Sequence, residues 1–254
     1  SKDFLNTLQD MDFFPKTLPG CTASSSSSSS SSSEHCKVHS GFYADWRSLE
    51  PQISQHLYEL GCTTSGDSIQ VGGNRSSSGS GGGSGGGGGS VSVRSASSIS
   101  ILGHSLGAAM AALHAFHLAN TSAVLQRVYT YGQPRTGNAA FASAFDARLR
   151  ARGVVHYRVT DYRDPVPHLP MRNMFFEGWQ HSGHEVYYNA TRLRAFHTCE
   201  KPDDKEPRCA DQWNLVQTLT HVCDHCSYLG MNPCTCGETE PQCNEPRKDS
   251  EDRK

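Results

Sequence analysis

The chain has 254 residues, 23 Lys and Arg against 25 Asp and Glu, and a formal net charge of −2. That balance excludes the basic face with which a nucleic-acid binder displaces phosphate counterions. There is also no Lys/Arg cluster of the kind that marks a membrane-surface helix, and no run approaches the roughly 18 apolar residues of a transmembrane span.

Hydrophobic residues make up only 35% of the chain, and two low-complexity runs account for part of the shortfall. Residues 24–33 are all serine, and residues 76–90 contain only Ser and Gly. Neither run can bury apolar surface, so disordered insertions are expected at 22–34 and 65–95, with a charged tail at 244–254. Lengthening a surface loop costs little. The segments on either side can therefore form one domain over 1–254.

Between the insertions Trp46, Leu49, Ile53, Leu57 and Leu60 recur at helical spacing, and Gly61 follows as a stop. Ser97 to Leu102 reads as a short buried strand, and it runs into Gly103-His104-Ser105-Leu106-Gly107 and an apolar helix from Ala108 to Ala119. Val128 to Tyr131 is a second strand. Asn138 caps a helix that ends at Gly153, with Phe141, Phe145 and Leu149 on one face. Val154 to Val159 is a third strand and Glu185 to Tyr188 a fourth. Strand alternating with helix predicts an α/β fold with a mostly parallel sheet.

The pentapeptide at Gly103–Gly107 lies between a strand and a helix, the context a nucleophile elbow requires. Such a turn needs small residues two before and two after the serine. It presents the Ser105 hydroxyl above the strand ends and sets the Leu106 N–H where an oxyanion would form. A serine needs a base, and the base needs an orienting acid. In this fold they follow in the order Ser, Asp or Glu, His. Asp164, held between the third strand and Pro165 and Pro167, is the better acid, with Asp161 the alternative. His181, His184, His197, His221 and His225 are all candidate bases, and their pattern does not separate them.

Five segments together resemble the class 3 (fungal lipase-type) α/β-hydrolases, a family that includes triacylglycerol lipases and feruloyl esterases. They are Val38-His39-Ser40-Gly41-Phe42-Tyr43, the elbow, the Tyr129 to Asn138 stretch, Asp164-Pro165-Val166-Pro167-His168-Leu169-Pro170, and Asp224-His225-Cys226-Ser227-Tyr228-Leu229-Gly230. The resemblance implies an α/β-hydrolase-type, mostly parallel sheet with helices on both faces. It selects Ser105, Asp164 and His225 as the triad, Gly103, His104 and Gly107 as elbow residues, and Leu106 N–H as an oxyanion donor. It implies an ester or lipid substrate, and a triad that supplies its own acid–base chemistry calls for no cofactor or metal. The apolar side formed by Phe4, Leu5, Leu8, Met11, Phe13 and Phe14 suits transient contact with a lipid interface, though an ordinary packed helix is the better reading of that stripe. Disulfides Cys21–Cys36 and Cys199–Cys209 are implied too, whereas Cys62, Cys223, Cys226, Cys234, Cys236 and Cys243 stay unassigned.

The family's second oxyanion donor lies in an Arg-Gly-Thr segment ahead of a lid, and Ser1 to Phe14 resembles the lid and the stretch just after it. The expectation is therefore a domain truncated at its N-terminus, poorly folded or weakly active alone. Two rival readings remain. One is a lipase-like protein that binds without catalysis; the other is a zinc site built from Cys223, Cys226, Cys234 and Cys236. Asp203, Asp204 and Glu206 read as a solvated acidic loop rather than a calcium site. Ten cysteines point to a secreted or secretory-lumen protein. Sequons at Asn74, Asn120 and Asn189 are compatible with this, though no signal peptide is legible.

Overall fold

A computed structural model describes residues 14–24, 33–62, 98–121, 123–189, 196–199 and 208–234. The expected insertion at 65–95, the charged tail, Asn74, Cys236, Cys243, the acidic loop at 203–206 and most of the lid-like start lie outside them.

In chain order the elements are β1 (Pro15–Ser24), β2 (Ser33–His39), α1 (Ser40–Glu59), β3 (Ile99–His104), α2 (Leu106–Leu118), β4 (Leu125–Tyr131), β5 (Gly137–Asn138), α3 (Ala139–Ala151), β6 (Val155–Asp161), β7 (Trp179–Gln180), β8 (His184–Tyr188) and β9 (Phe196–Cys199), followed by the short helices α4 (Leu215–Thr218) and α5 (Val222–His225). Five strands form the main sheet in the order β3-β4-β6-β8-β9. The first four are parallel, and β9 turns back antiparallel on β8. Parallel neighbours need long crossovers, and α2 and α3 supply them. Every parallel strand therefore ends at the same edge of the sheet, and β3, β4 and β6 end there at His104, Tyr131 and Asp161.

Helix α2 is buried on nearly every side, through Ala108, Ala109, Ala111, Ala112, Leu113, Ala115, Phe116 and Leu118. A helix apolar all round has to be enclosed, and its alanines let neighbours approach closely. Helix α3 follows the sequence closely. The Asn138 side chain accepts from the Phe141 N–H at 2.9 Å, and Gly153 takes φ +66° just beyond the end. Phe141, Phe145 and Leu149 are buried together against Phe116. Phe145 has no exposed surface, so Phe145→Ala should lower unfolding free energy by about 3–5 kcal/mol. A shift of the denaturant midpoint at unchanged slope would show it.

One finding adds to the sequence reading of α1, whose helix forms where its spacing placed it, and two findings correct that reading elsewhere. The α1 stripe is covered only at its start: Trp46 is buried, but Leu49, Ile53 and Leu60 are 45%, 37% and 67% exposed. The line that packs on α2 is Phe42, Trp46 and Glu50, one residue per turn. Trp46 Nε1–H donates to His114 Nδ1 at 3.4 Å, and the Glu50 carboxylate receives Ser54 Oγ–H at 2.7 Å and Arg47 at 3.2 Å. Strand β3 is not buried either. Among the described residues it pairs only with β4, Ile99 and Ile101 are half-buried, and Leu102 is 63% exposed.

Finally, paired strands reach into the span expected as the first insertion. Thr22, Ala23 and Ser24 pair with His35, Glu34 and Ser33 in a second, antiparallel sheet of order β1-β2-β5-β7. The Cys21–Cys36 disulfide ties its first two strands. Gly137 is required where β5 meets β2, because a Cβ there would fall 2.6 Å from both the Lys37 carbonyl and the Phe141 ring.

Candidate active site

At the end of β3 the backbone reverses into α2 through Ser105, whose φ of 58° and ψ of −129° place a side-chain-bearing residue in a disfavoured region. Such a conformation costs on the order of 1–3 kcal/mol. It is held by Ser105 N–H donating to the Tyr131 carbonyl at 2.9 Å and by the Ser105 carbonyl accepting from Ala108 N–H at 2.9 Å. Gly103 is needed, since a Cβ there would strike the Gly107 carbonyl and come within 2.8 Å of the Ala108 Cα. Gly107 is not: a Cβ would meet nothing within 4 Å among the described residues. The expectation that both flanking glycines avoid a clash holds for the first alone, because Gly107 sits on the outward side of the first turn of α2. Leu106 opens that turn, and among the described residues no acceptor takes its N–H.

Asp164 lies three residues beyond the end of β6, in a turn closed by its N–H donating to the Asp161 carbonyl at 2.9 Å. Its Oδ1 accepts the Val166 N–H at 2.8 Å. Its two oxygens lie 3.0 and 2.9 Å from His225 Nδ1, and the Tyr228 hydroxyl donates to Oδ2. Burial pushes this carboxyl up. His225 beside it and the hydrogen bonds from His225, Tyr228 and Val166 outweigh that and hold it below the ordinary carboxylate value. Tyr228 moves the other way: burial first, then the carboxylate, raises it well above an ordinary phenol. The group donating to Asp164 therefore stays a neutral hydroxyl. Both Asp164 and His225 are buried.

Gly132, at the end of β4 with φ +55°, supports the pair from below. A Cβ there would lie 2.8 Å from Asp164 Oδ2 and 2.9 Å from His225 Nδ1. The Asp164 loop is anchored further along by Arg135, which donates to the His168 carbonyl at 2.7 Å and the Pro170 carbonyl at 3.1 Å. The His225 segment is closed by a Cys226–Cys234 disulfide and a Tyr228–Met231 bridge.

The structure thus separates the candidate bases. His225 meets Asp164, the candidate acid. His181 contacts the Pro167 carbonyl at 2.7 Å, His221 lies 3.1 Å from Arg163 and 3.5 Å from Asp224, and His184 and His197 are exposed. His104, directly before Ser105, lies 2.9 Å from the His225 carbonyl through Nε2, with ring centroids 4.5 Å apart. Ser105, Asp164 and His225 are so brought to one edge of the sheet. Cys199–Cys209 forms as the resemblance implied. The zinc alternative fails, since Cys226, Cys234 and Cys223 are all in disulfides and have no thiolate to offer. Gly132, Tyr228 and Arg135 are site residues to which sequence reasoning assigned no role, although all three lie in the segments that carry the resemblance.

Residues 90–174 match the family model "Lipase (class 3)". A lipase of Rhizomucor miehei is 32% identical over 142 residues, 54% of this chain and 36% of that protein. A secreted mono- and diacylglycerol lipase A of Penicillium camembertii is 38% identical over 87 residues, 34% of this chain and 26% of that one. The chain therefore spans well under half the length of these relatives. In fold it is similar to the triacylglyceride lipase of Rhizomucor miehei, with a TM-score of 0.62 and 24% identity over 91% of this chain and 69% of that one. It is also similar, at a TM-score of 0.59 and 24% identity over the same shares, to a triacylglycerol lipase whose catalytic centre is a serine-protease triad. The chain thus has the α/β-hydrolase fold of these lipases and a strained serine at its elbow, and over residues 90–174 it is similar to the class 3 lipases.

Proposed function

We propose that this protein hydrolyses carboxylic esters, acylglycerol lipids being the favoured class, with Ser105 as nucleophile, His225 as base and Asp164 as the orienting acid. The observation that carries the reading is the buried His225–Asp164 pair, 61 residues apart in sequence and 2.9 Å apart in space, beside a strained serine turn. Asp164 accepts the Nδ1–H of His225, which leaves Nε2 as the basic nitrogen. Nε2 takes the Ser105 proton as Oγ attacks the ester carbonyl. It then returns that proton to the departing alkoxide, leaving an acyl-enzyme. Water, deprotonated by the same nitrogen, releases the carboxylic acid. The oxyanion of each tetrahedral intermediate is received by Leu106 N–H at the open end of α2. A second donor, which the resemblance places ahead of the lid, is not assigned to a residue of this chain.

Contact with a lipid aggregate is supported by an apolar rim in the segment after Asp164. Phe176 is fully exposed, Met171 and Phe175 are about half exposed, and the exposed Phe14 ring lies 5.2 Å from that of Phe175. Among the described residues no helix is long and apolar enough to cross a membrane. Three disulfides among the described residues support formation in an oxidising compartment.

A fluorophosphonate probe tests the reading, because it reacts only with an activated serine. Labelling of the wild type that disappears in Ser105→Ala is the expected result. A well-folded wild type that ignores the probe would remove the hydrolase reading and favour the non-catalytic one. Turnover of monoolein, triolein and methyl ferulate by labelled preparations then separates acylglycerol from feruloyl substrates.

A further inference from the structure

We propose that His104 is a positioning residue for His225, setting the base against the nucleophile; the inference rests on the hydrolase reading above. His104 is the last residue of β3, where it lies in register with Tyr131 of β4, and it is peptide-bonded to Ser105. Its place is therefore tied to the nucleophile with almost no freedom. A carbonyl oxygen only accepts, so the 2.9 Å contact from His104 Nε2 to the His225 carbonyl is an Nε2–H donation. The same ring lies 4.5 Å from the His225 ring at a 31° tilt and meets Tyr228 edge-on at 5.4 Å. One side chain thus touches the backbone of the base, its ring, and the tyrosine that donates to Asp164.

His225 needs such a hold. Its helix, α5, is only four residues long and stiffens little by itself. Asp164 grips the imidazole through Nδ1, and a hydrogen bond to that atom leaves the ring free to pivot about the contact. The His104 donation fixes the backbone from which the ring projects, and the ring contact limits the swing. A displacement of about 1 Å between reacting groups costs on the order of 10² in rate, so the hold bears directly on Ser105–His225 proton transfer. The chemistry of His104 suits the role. Burial, helped by His225 nearby, pushes it down to about 4. It therefore remains neutral near pH 7 and adds no positive charge beside the imidazolium that forms on His225 during acylation.

The test measures kcat and KM on a soluble short-chain p-nitrophenyl ester, together with the fluorophosphonate rate, for wild type and three variants. His104→Ala removes ring and donor, His104→Phe keeps a ring without a donor, and His104→Gln keeps an N–H at nearly the place of Nε2. His104→Ala is expected to lower kcat about 10- to 100-fold with KM within about threefold, and the probe rate should fall in parallel. His104→Gln should recover most of the loss, and His104→Phe much less. A wild-type kcat in His104→Ala, or a loss confined to KM, overturns the proposal. Should His104→Ala not fold, the Gln and Phe variants decide it: Gln well above Phe supports the donor, and equal values overturn it. A wild type that is itself unreactive to the probe overturns the hydrolase reading and this inference together. A reactive wild type with unaffected variants overturns this inference alone.

Discussion

Asp164→Asn is expected to reduce kcat by about 10⁴ while leaving the fold intact, the scale seen when a triad acid becomes an amide. The reason lies in the surroundings of the carboxylate. Val166 N–H donates to Oδ1 at 2.8 Å, so the amide of the variant must keep its oxygen there. Its NH₂ then takes the place of Oδ2, 2.9 Å from His225 Nδ1 and facing the Tyr228 hydroxyl. Two donors cannot share that contact. With Val166 N–H already on the remaining oxygen, the amide NH₂ favours the His225 tautomer with a bare Nδ1 and a proton on Nε2, and that nitrogen can no longer take a proton from Ser105. Tyr228 can rotate its hydroxyl hydrogen away, so packing should survive. Ester turnover, read beside the thermal midpoint, checks both halves. Activity within tenfold of wild type would remove Asp164 from its role.

How much of this was legible beforehand depends on whether the signal was local. Helix α3 was readable because cap, stripe and stop all lie within sixteen residues, from Asn138 to Gly153. The elbow was readable for the same reason. Helix α1 shows the limit of periodicity: Leu49 and Ile53 announce a helical face, but nothing in their spacing says whether that face is covered. Strand β6 shows another limit. Its buried positions include His156, Arg158 and Thr160, while Val155 is exposed. Polar groups tolerate the interior there because Thr130 lies 2.9 Å from His156 Nε2, and Glu185 receives Arg158 and Thr160 at 3.2 and 2.7 Å. Those partners belong to β4 and β8, so no reading of β6 alone could have found them. The partners proposed for Ser105 were equally non-local, which is why five candidate histidines stayed level until the resemblance favoured His225. The geometry that pairs it with Asp164, and the support from Gly132 and His104, required the fold. Strands β1 and β2 were obscured by the serine run between them.

The buried histidines lead to a stability that should fall steeply below neutral pH. Burial is the largest cause in each case: His114 is pushed down to about 4, like His104, and His156 to about 3. Each native histidine thus refuses a proton that the unfolded chain accepts near pH 6.5. Their contribution is complete above pH 6.5 and is lost progressively as pH falls towards 4, the direction linkage requires when the unfolded state binds more protons. Three such groups give a slope of at most about 4 kcal/mol per pH unit. Against a typical total of roughly 5–15 kcal/mol, that is enough to unfold the domain two to three units below its plateau. Glu50, near His114 across the α1–α2 contact, moderates one of them, and half-buried His104 contributes less than the two buried rings. Asp164 is not responsible in this range. Its carboxyl is held below the ordinary value, so its own contribution persists until the pH falls lower still. Denaturant midpoints from pH 7.5 to 4.5 should therefore drop steadily, and His156→Gln should make that slope shallower while keeping a partner for Thr130. A midpoint that stays level down to pH 5 would mean that the rings gain protons without leaving the core, and that burial does not hold them neutral.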